Sequence, residues 1–239
     1  RSGSKRIKDK NIYPLDNHPL LAYTICTAVE SNIFDSVICA TDSSKYAEIA
    51  KYYGAEVPFL RDIKISDDKS ADLDWLSWAV KLLNSKGRNF DIFSILRPTS
   101  PLRQVSTLKR AFSEFLSSEN IDSLRAVEKC HQHPGKMWVI RGSLMQPLLP
   151  FKNDGIPWHS SQYDSLPEIY VQNASLEIAW TKTLLNQKSI SGEMVKPFIT
   201  DSFEGFDINY PEDIYLLEEL VKTKKVKLPK IKKLSYFDI

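Results

Sequence analysis

The chain has 239 residues, with 32 Lys or Arg against 30 Asp or Glu, 42% hydrophobic residues and a formal charge of +2. This composition excludes disordered and fibrous classes and a broad polyanion-binding face, so an anionic partner has to be held locally. No run reaches the roughly 18 apolar residues of a membrane span, and no interleaved aromatic and basic platform for nucleic acid is visible. Cys26, Cys39 and Cys130 lack metal-ligand spacing. The expectation is a reducing, cytoplasmic setting without membrane or nucleic-acid partners.

After a polar, basic opening, Pro19 to Ser31 reads as a helix, with Leu20, Tyr23, Thr24 and Ala28 at helical spacing. Ser36 to Thr41 reads as a strand. Ser44 to Tyr53 reads as a helix capped by Asp42 or Ser43 and ended by Gly54, and Ala55 to Leu60 as a strand carrying Pro58. Helical period returns over Ala71 to Ser85. The apolar strand Asp91 to Leu96, the helix Thr107 to Leu116 and the strand Ser123 to Val127 follow. From Glu128 the rhythm breaks: Pro, Gly, His and Trp become frequent, and Ile169 to Ile178 reads as a strand inside this excursion. Phe203 to Ile208 reads as a further strand, and Pro211 to about Val221 as a helix with Glu212 and Asp213 in its first turn. Such alternation predicts an α/β fold with helices on both faces of a mostly parallel sheet. Residues 1–127 and 200–239 form its main domain and residues 128–199 an insertion. A central first strand is expected from about five to ten residues upstream of Arg1, because the opening loop otherwise has no strand to deliver it.

The opening Arg1-Ser2-Gly3-Ser4-Lys5-Arg6, with Lys8, Lys10 and Asn11, combines small flexible residues with basic ones. A loop of this kind can curl its N–H groups around phosphate oxygens while Arg and Lys neutralise their charge. The same composition also describes a frayed basic terminus. The spacing is neither that of a P-loop nor of a dinucleotide fingerprint.

This opening, through Lys10-Asn11, resembles the signature of the acylneuraminate cytidylyltransferases, which activate sialic acid and related keto-sugar acids as CMP conjugates. Further matching segments are Phe34-Asp35-Ser36-Val37 with Thr41-Asp42, Tyr53 to Arg61, Leu96-Arg97-Pro98-Thr99-Ser100-Pro101-Leu102-Arg103, Tyr170 to Asn173, and Phe206-Asp207-Ile208 with Pro211-Glu212-Asp213. The resemblance implies a three-layer nucleotidyltransferase-like fold with a smaller dimerisation insertion, and a homodimer whose active sites are shared between subunits. It implies that Arg1, Ser2, Gly3, Ser4, Lys5, Lys10 and Asn11 bind CTP, joined by Arg61 and Ser70. Lys10, Lys5, Arg1 and Asp207 would act in catalysis. Arg97, Thr99, Ser100, Arg103, Gln162, Tyr170 and Asn173 would face the sugar. Arg61 is equally read as a solvated arginine and Ser70 as a helix N-cap.

Asp207 resembles the first carboxylate of the family's Asp-Ile-Asp metal site, and alternation along a strand would bring position 209 to the same side for Mg²⁺, with Mn²⁺ as a substitute. This chain carries Asn209 there, which keeps a carbonyl ligand and loses a charge. It also departs from the family at Arg97, usually Gln, at Ala174, usually Gly, and at Glu177, usually Tyr. The implied reaction is attack by the anomeric hydroxyl of a nine-carbon 2-keto-3-deoxy sugar acid on the α-phosphate of CTP, with release of pyrophosphate. Two alternatives stay open: an eight-carbon keto-sugar acid as acceptor, and a homologue that binds without turnover. A zinc site from His131, His133 and His159 lacks a known ligand spacing.

Overall fold

A computed structural model describes residues 3–65 and 71–238. Two compact units are present, one built from the chain up to Ala126 and from Asn173 onward, the other Val127–Gln172. In the first unit a tight hairpin, β1 (Pro14–Leu15) and β2 (His18–Pro19), precedes α1 (Leu20–Ser31). Asp16 and Asn17 turn it with φ of 44° and 64°, the left-handed pair that a two-residue hairpin requires. Helix α2 (Ser44–Tyr53) starts where the Ser43 side chain accepts from the Tyr46 N–H, and it stops at Gly54 with φ of 108°. Then come α3 (Asp72–Ser85), β3 (Ile92–Ile95), α4 (Val105–Leu116) and β4 (Ser123–Lys129).

The second unit holds two short antiparallel hairpins, β5 (Trp138–Arg141) with β6 (Leu144–Pro147) and β7 (Lys152–Asn153) with β8 (Ile156–Pro157). His133 is buried within it, accepting from the Gly135 N–H on Nδ1 and packing edge-on to Trp158. The chain continues through β9 (Tyr170–Trp180), α5 (Thr181–Gln187), β10 (Val195–Ile199) and α6 (Pro211–Lys222). β10 and most of β9 lie in the first unit, so the compact second unit is shorter than the segment 128–199.

The mostly parallel sheet expected from the sequence is not what forms. The central sheet has the order β10-β4-β9-β3 and is mixed and mostly antiparallel. β3 and β9 run antiparallel, with Ile92 opposite Trp180 and Ile95 opposite Glu177. An apolar run looks the same whichever way it is threaded, so alternation locates strands without giving their direction. Two segments read as strands, 36–41 and 55–60, meet only in an isolated parallel bridge between Ile38 and Glu56, and of residues 203–208 the first three form a turn and the rest no regular element. Two of the four strands, β9 and β10, come instead from within the segment 128–199.

The core is divided among several buried clusters. Phe115 of α4, Leu124 and Ala126 of β4, Leu176 and Ile178 of β9 and Phe198 of β10 make one buried cluster. Ile12, Leu21, Ile25 and Ile49 join α1 to α2 in another. Phe115 is fully buried and packs 5.0 Å from the Trp180 ring. Phe115→Ala should therefore cost about 3–5 kcal/mol, read as a lower urea midpoint at unchanged slope.

Candidate active site

Two apolar anchors hold the opening loop. Ile7 is buried with Ile208, Ile214 and Leu217, and Ile12 is buried against α1 and α2. Between them Asp9 takes a left-handed conformation, φ 54°, and its carboxylate accepts from the Tyr46 hydroxyl at 3.0 Å. The chain then turns through Lys10–Ile12, and the Lys10 ammonium donates to the Ile208 carbonyl at 2.7 Å. Burial lowers the Lys10 pKa, the charges of Asp207 and Asp213 oppose that fall, and Arg6 adds to it. Arg6 lies 4.7 Å from the Tyr210 ring centre. Lys10 and Asp207, read from opposite ends of the chain, thus share one locality.

Asp207 offers two unequal oxygens. Oδ2 accepts from the Asn209 side-chain amide at 2.7 Å, whereas Oδ1 is buried with no donor among the described residues. Asp213 Oδ2 accepts from the N–H groups of Asn209 and Tyr210, so this carboxylate caps α6. The Ile208 N–H donates to the Thr99 carbonyl at 2.9 Å, tying the 97–103 turn to the same segment. A carboxylate oxygen and the carbonyl oxygen of an amide are hard donors of the kind that suit Mg²⁺, an ion that takes few protein ligands and keeps water or phosphate oxygens, although here it is the Asn209 amide NH₂ that faces Asp207. Among the described residues no group of three or more His, Cys, Asp or Glu side chains could hold a metal ion.

The turn after β3 carries a second constellation. Arg97 Nη2 lies 2.6 Å from Asp72 Oδ2 and 3.1 Å from Glu177 Oε1, and Arg125 Nη2 lies 2.9 Å from Glu177 Oε2. Arg103 is fully buried and donates to the carbonyls of Ser175 and Arg97 and to the Thr24 hydroxyl. Burial, and then the charge of Arg97, push the Arg103 guanidinium down to about 9. Ser100 is buried with its hydroxyl unpartnered, and Asn173 donates to the Thr200 hydroxyl. Arg61 is buried with its guanidinium 4.8 Å from the Trp75 ring, and it donates to the Ile65 carbonyl.

A cavity of about 710 Å³ has Asn11, Arg61, Asp72, Arg97 and Thr99 in its wall, alongside apolar residues of α1, α3 and β3. It therefore gathers members of the opening loop, the Arg61 segment and the 97–103 turn. Gly3, Ser4 and Lys5 lie at the start of the loop, Gly3 and Lys5 exposed. Gln162 and the exposed Tyr170, whose hydroxyl donates to Glu168, belong to the second unit. Arg1, Ser2 and Ser70 lie outside the described residues. Sequence reasoning missed Asp72 and Arg125; the only available signal was that Arg97 and Glu177 depart from the family pattern together.

A family model described as Cytidylyltransferase matches residues 1–137. The CMP-N,N'-diacetyllegionaminic acid synthase of Legionella pneumophila is 30% identical over 232 residues, 93% of each chain. The N-acylneuraminate cytidylyltransferase of Escherichia coli O18:K1:H7 is 30% identical over 216 residues, 90% of this chain and 49% of that one. A solved CMP:2-keto-3-deoxy-manno-octonic acid synthetase complexed with CTP superposes with a TM-score of 0.65 at 12% identity, covering 93% of this chain and 95% of that one, a likeness of fold.

The buried Arg103 makes a structural demand that an ammonium cannot meet, since its fork reaches three acceptors at once. Arg103→Lys should lower stability by about 1–3 kcal/mol, measured by urea unfolding. An unchanged midpoint would show that the fork is dispensable.

Proposed function

Because the chain belongs to the acylneuraminate cytidylyltransferase family, we propose that it transfers CMP from CTP to a nine-carbon 2-keto-3-deoxy sugar acid and releases pyrophosphate. The observation that carries this reading is the Lys10 ammonium, fixed on the Ile208 carbonyl next to an Asp207 oxygen that has no donor among the described residues. Lys10, with Arg6 and Lys5 on the same loop, supplies fixed positive charge. In-line attack at the α-phosphorus spreads negative charge over its oxygens, and preorganised cations stabilise that state more than bound CTP. Asp207 and Asn209 would hold Mg²⁺, which when bound offsets charge on the triphosphate. Thr99, joined to Ile208 through the backbone, keeps the acceptor-binding turn in register with the loop.

The acceptor is an acidic sugar of the nonulosonic class, in keeping with the names of the two relatives 30% identical to this chain. A homodimer is the proposed assembly, supported by the β5–β6 hairpin, which exposes Ile140 at 75% and Leu144 at 74%. Completion of each site by the partner's second unit is part of the same proposal. None of the described helices is long and apolar enough to cross a membrane, and the three free cysteines support a reducing, cytoplasmic setting.

The test is mass detection of a CMP adduct after incubation with CTP, Mg²⁺ and three acids: N-acetylneuraminic, N,N'-diacetyllegionaminic and 3-deoxy-manno-octulosonic. An adduct with a nine-carbon acid is expected; an adduct with the eight-carbon acid alone, or none, rejects the proposal. Lys10→Ala should lower kcat by about 100-fold or more while the thermal midpoint moves little. Asn209→Asp should reduce the Mg²⁺ concentration needed for half-maximal rate, because it restores a charge to the donor pair. Ile140→Asp should yield a monomer by light scattering.

A further inference from the structure

Arg97 and Glu177 form one charged unit at the end of β3. Glu177 stands opposite Ile95 in the β3–β9 ladder, and its side chain is only 6% exposed. Its two oxygens are divided between Arg97 and Arg125, so it neutralises Arg97 in part. The remaining partner of Arg97 is different in kind. Asp72 sits in the first turn of α3 with its side chain 44% exposed, and its other oxygen accepts from the Trp75 indole at 2.8 Å. Arg97 and Asp72 both line the 710 Å³ cavity. Behind Arg97, the buried Arg103 is met by two carbonyls and a hydroxyl and by no carboxylate in this network, so its positive field also reaches the Arg97 position.

A guanidinium that faces a cavity, is braced from behind by a buried carboxylate and is bridged in front by a solvent-accessible one has the form of a carboxylate receptor holding an internal substitute. We propose that Arg97 determines acceptor specificity by binding the sugar's carboxylate, that the substrate displaces Asp72 from it, and that Glu177 is a positioning residue acting through Arg97. This rests on the acceptor being a keto-sugar acid, as proposed above. An incoming carboxylate exchanges for one that is already half in water, so the desolvation cost of forming the new pair is small. Glu177, buried and doubly held, stays in place and fixes the direction in which the fork points.

The experiment reads binding, not turnover. The full chain is titrated calorimetrically with N-acetylneuraminic acid and N,N'-diacetyllegionaminic acid, each beside its C1 carboxamide. The unaltered protein is expected to prefer at least one acid over its amide by about tenfold or more, the scale of a charged pair against a neutral one. R97Q should bring that ratio to within twofold of unity. D72N should tighten acid binding several-fold and leave amide binding unchanged. E177Q should lower the ratio, and R97Q/E177Q should match R97Q; this double variant leaves no buried carboxylate short of a partner and so covers an R97Q that fails to fold. An acid preference retained in R97Q or in the double variant, a D72N that weakens acid binding, or an unaltered protein without preference overturns the inference. Acid preference without CMP transfer would remove the proposed activity and leave the carboxylate receptor standing, whereas transfer with a preference indifferent to R97Q would do the reverse.

Discussion

The hydrogen bond from Lys10 Nζ to the Ile208 carbonyl joins residues 198 positions apart, and the rest of the site takes its geometry from it. A half-buried ammonium is expensive to desolvate, and a bond from a charged donor returns about 1.5–3 kcal/mol. The bond alone would not hold a loop rich in Gly and Ser. Ile7 supplies the missing rigidity by burying itself beside Ile208 and α6, so the loop and the segment carrying Asp207 share one apolar cluster. Because the Ile208 N–H is bound to Thr99, the same residue also fixes the turn that follows β3. One strandless stretch, residues 206–209, therefore indexes the basic loop, the acidic oxygen and the 97–103 turn against each other.

Two kinds of charge are handled differently around that stretch. Lys10 keeps some access to water and two nearby carboxylates, so its charge stays available to an anion. Arg103 has no such access, and its cost of burial is offset by three neutral acceptors on three different elements. Arg103 thus fastens the 97–103 turn to β9 and α1. Arg97 is intermediate, one-third exposed and bracketed by carboxylates of unequal burial.

What the sequence made legible follows from how local each signal is. Helix α2 is read to the residue because Ser43 and Gly54 announce its ends within a single turn. β10 escaped notice because Pro197 interrupts its run, a residue that an edge strand such as this one tolerates. α5, seven residues long and without a side-chain cap, is too short to write a helical period. Phe203 to Ile208 is apolar enough to read as a strand, yet Glu204 is claimed by Arg110 and by the Thr107 hydroxyl, which holds the start of the segment in a turn. Lys10 and Asp207 were named, and expected to meet across a triphosphate, through motif resemblance alone, since nothing local in either segment refers to the other. The partnership of Arg97 with Glu177 and Asp72 lay still further from view, because ion pairs across a sheet leave no spacing rule in the chain.

The exchange of a carboxylate for Asn209 changes the donor set in a way that composition alone would misjudge. Counting charges suggests only a weaker cation site. In the fold, the Asn209 amide donates to Asp207 Oδ2, while the Asn209 backbone N–H is taken by Asp213. A second carboxylate at this position would repel Asp207 instead of orienting it. The amide fixes the plane of the Asp207 carboxylate and leaves Oδ1 buried without a donor among the described residues. As a cation site of the kind proposed above, this pair would give up affinity for a free cation and retain direction, so a cation arriving with its own phosphate ligands would suit it better than one bound by the protein alone. Lys10 beside it favours the same outcome, because its positive charge opposes a bare cation and attracts a phosphate-bearing one.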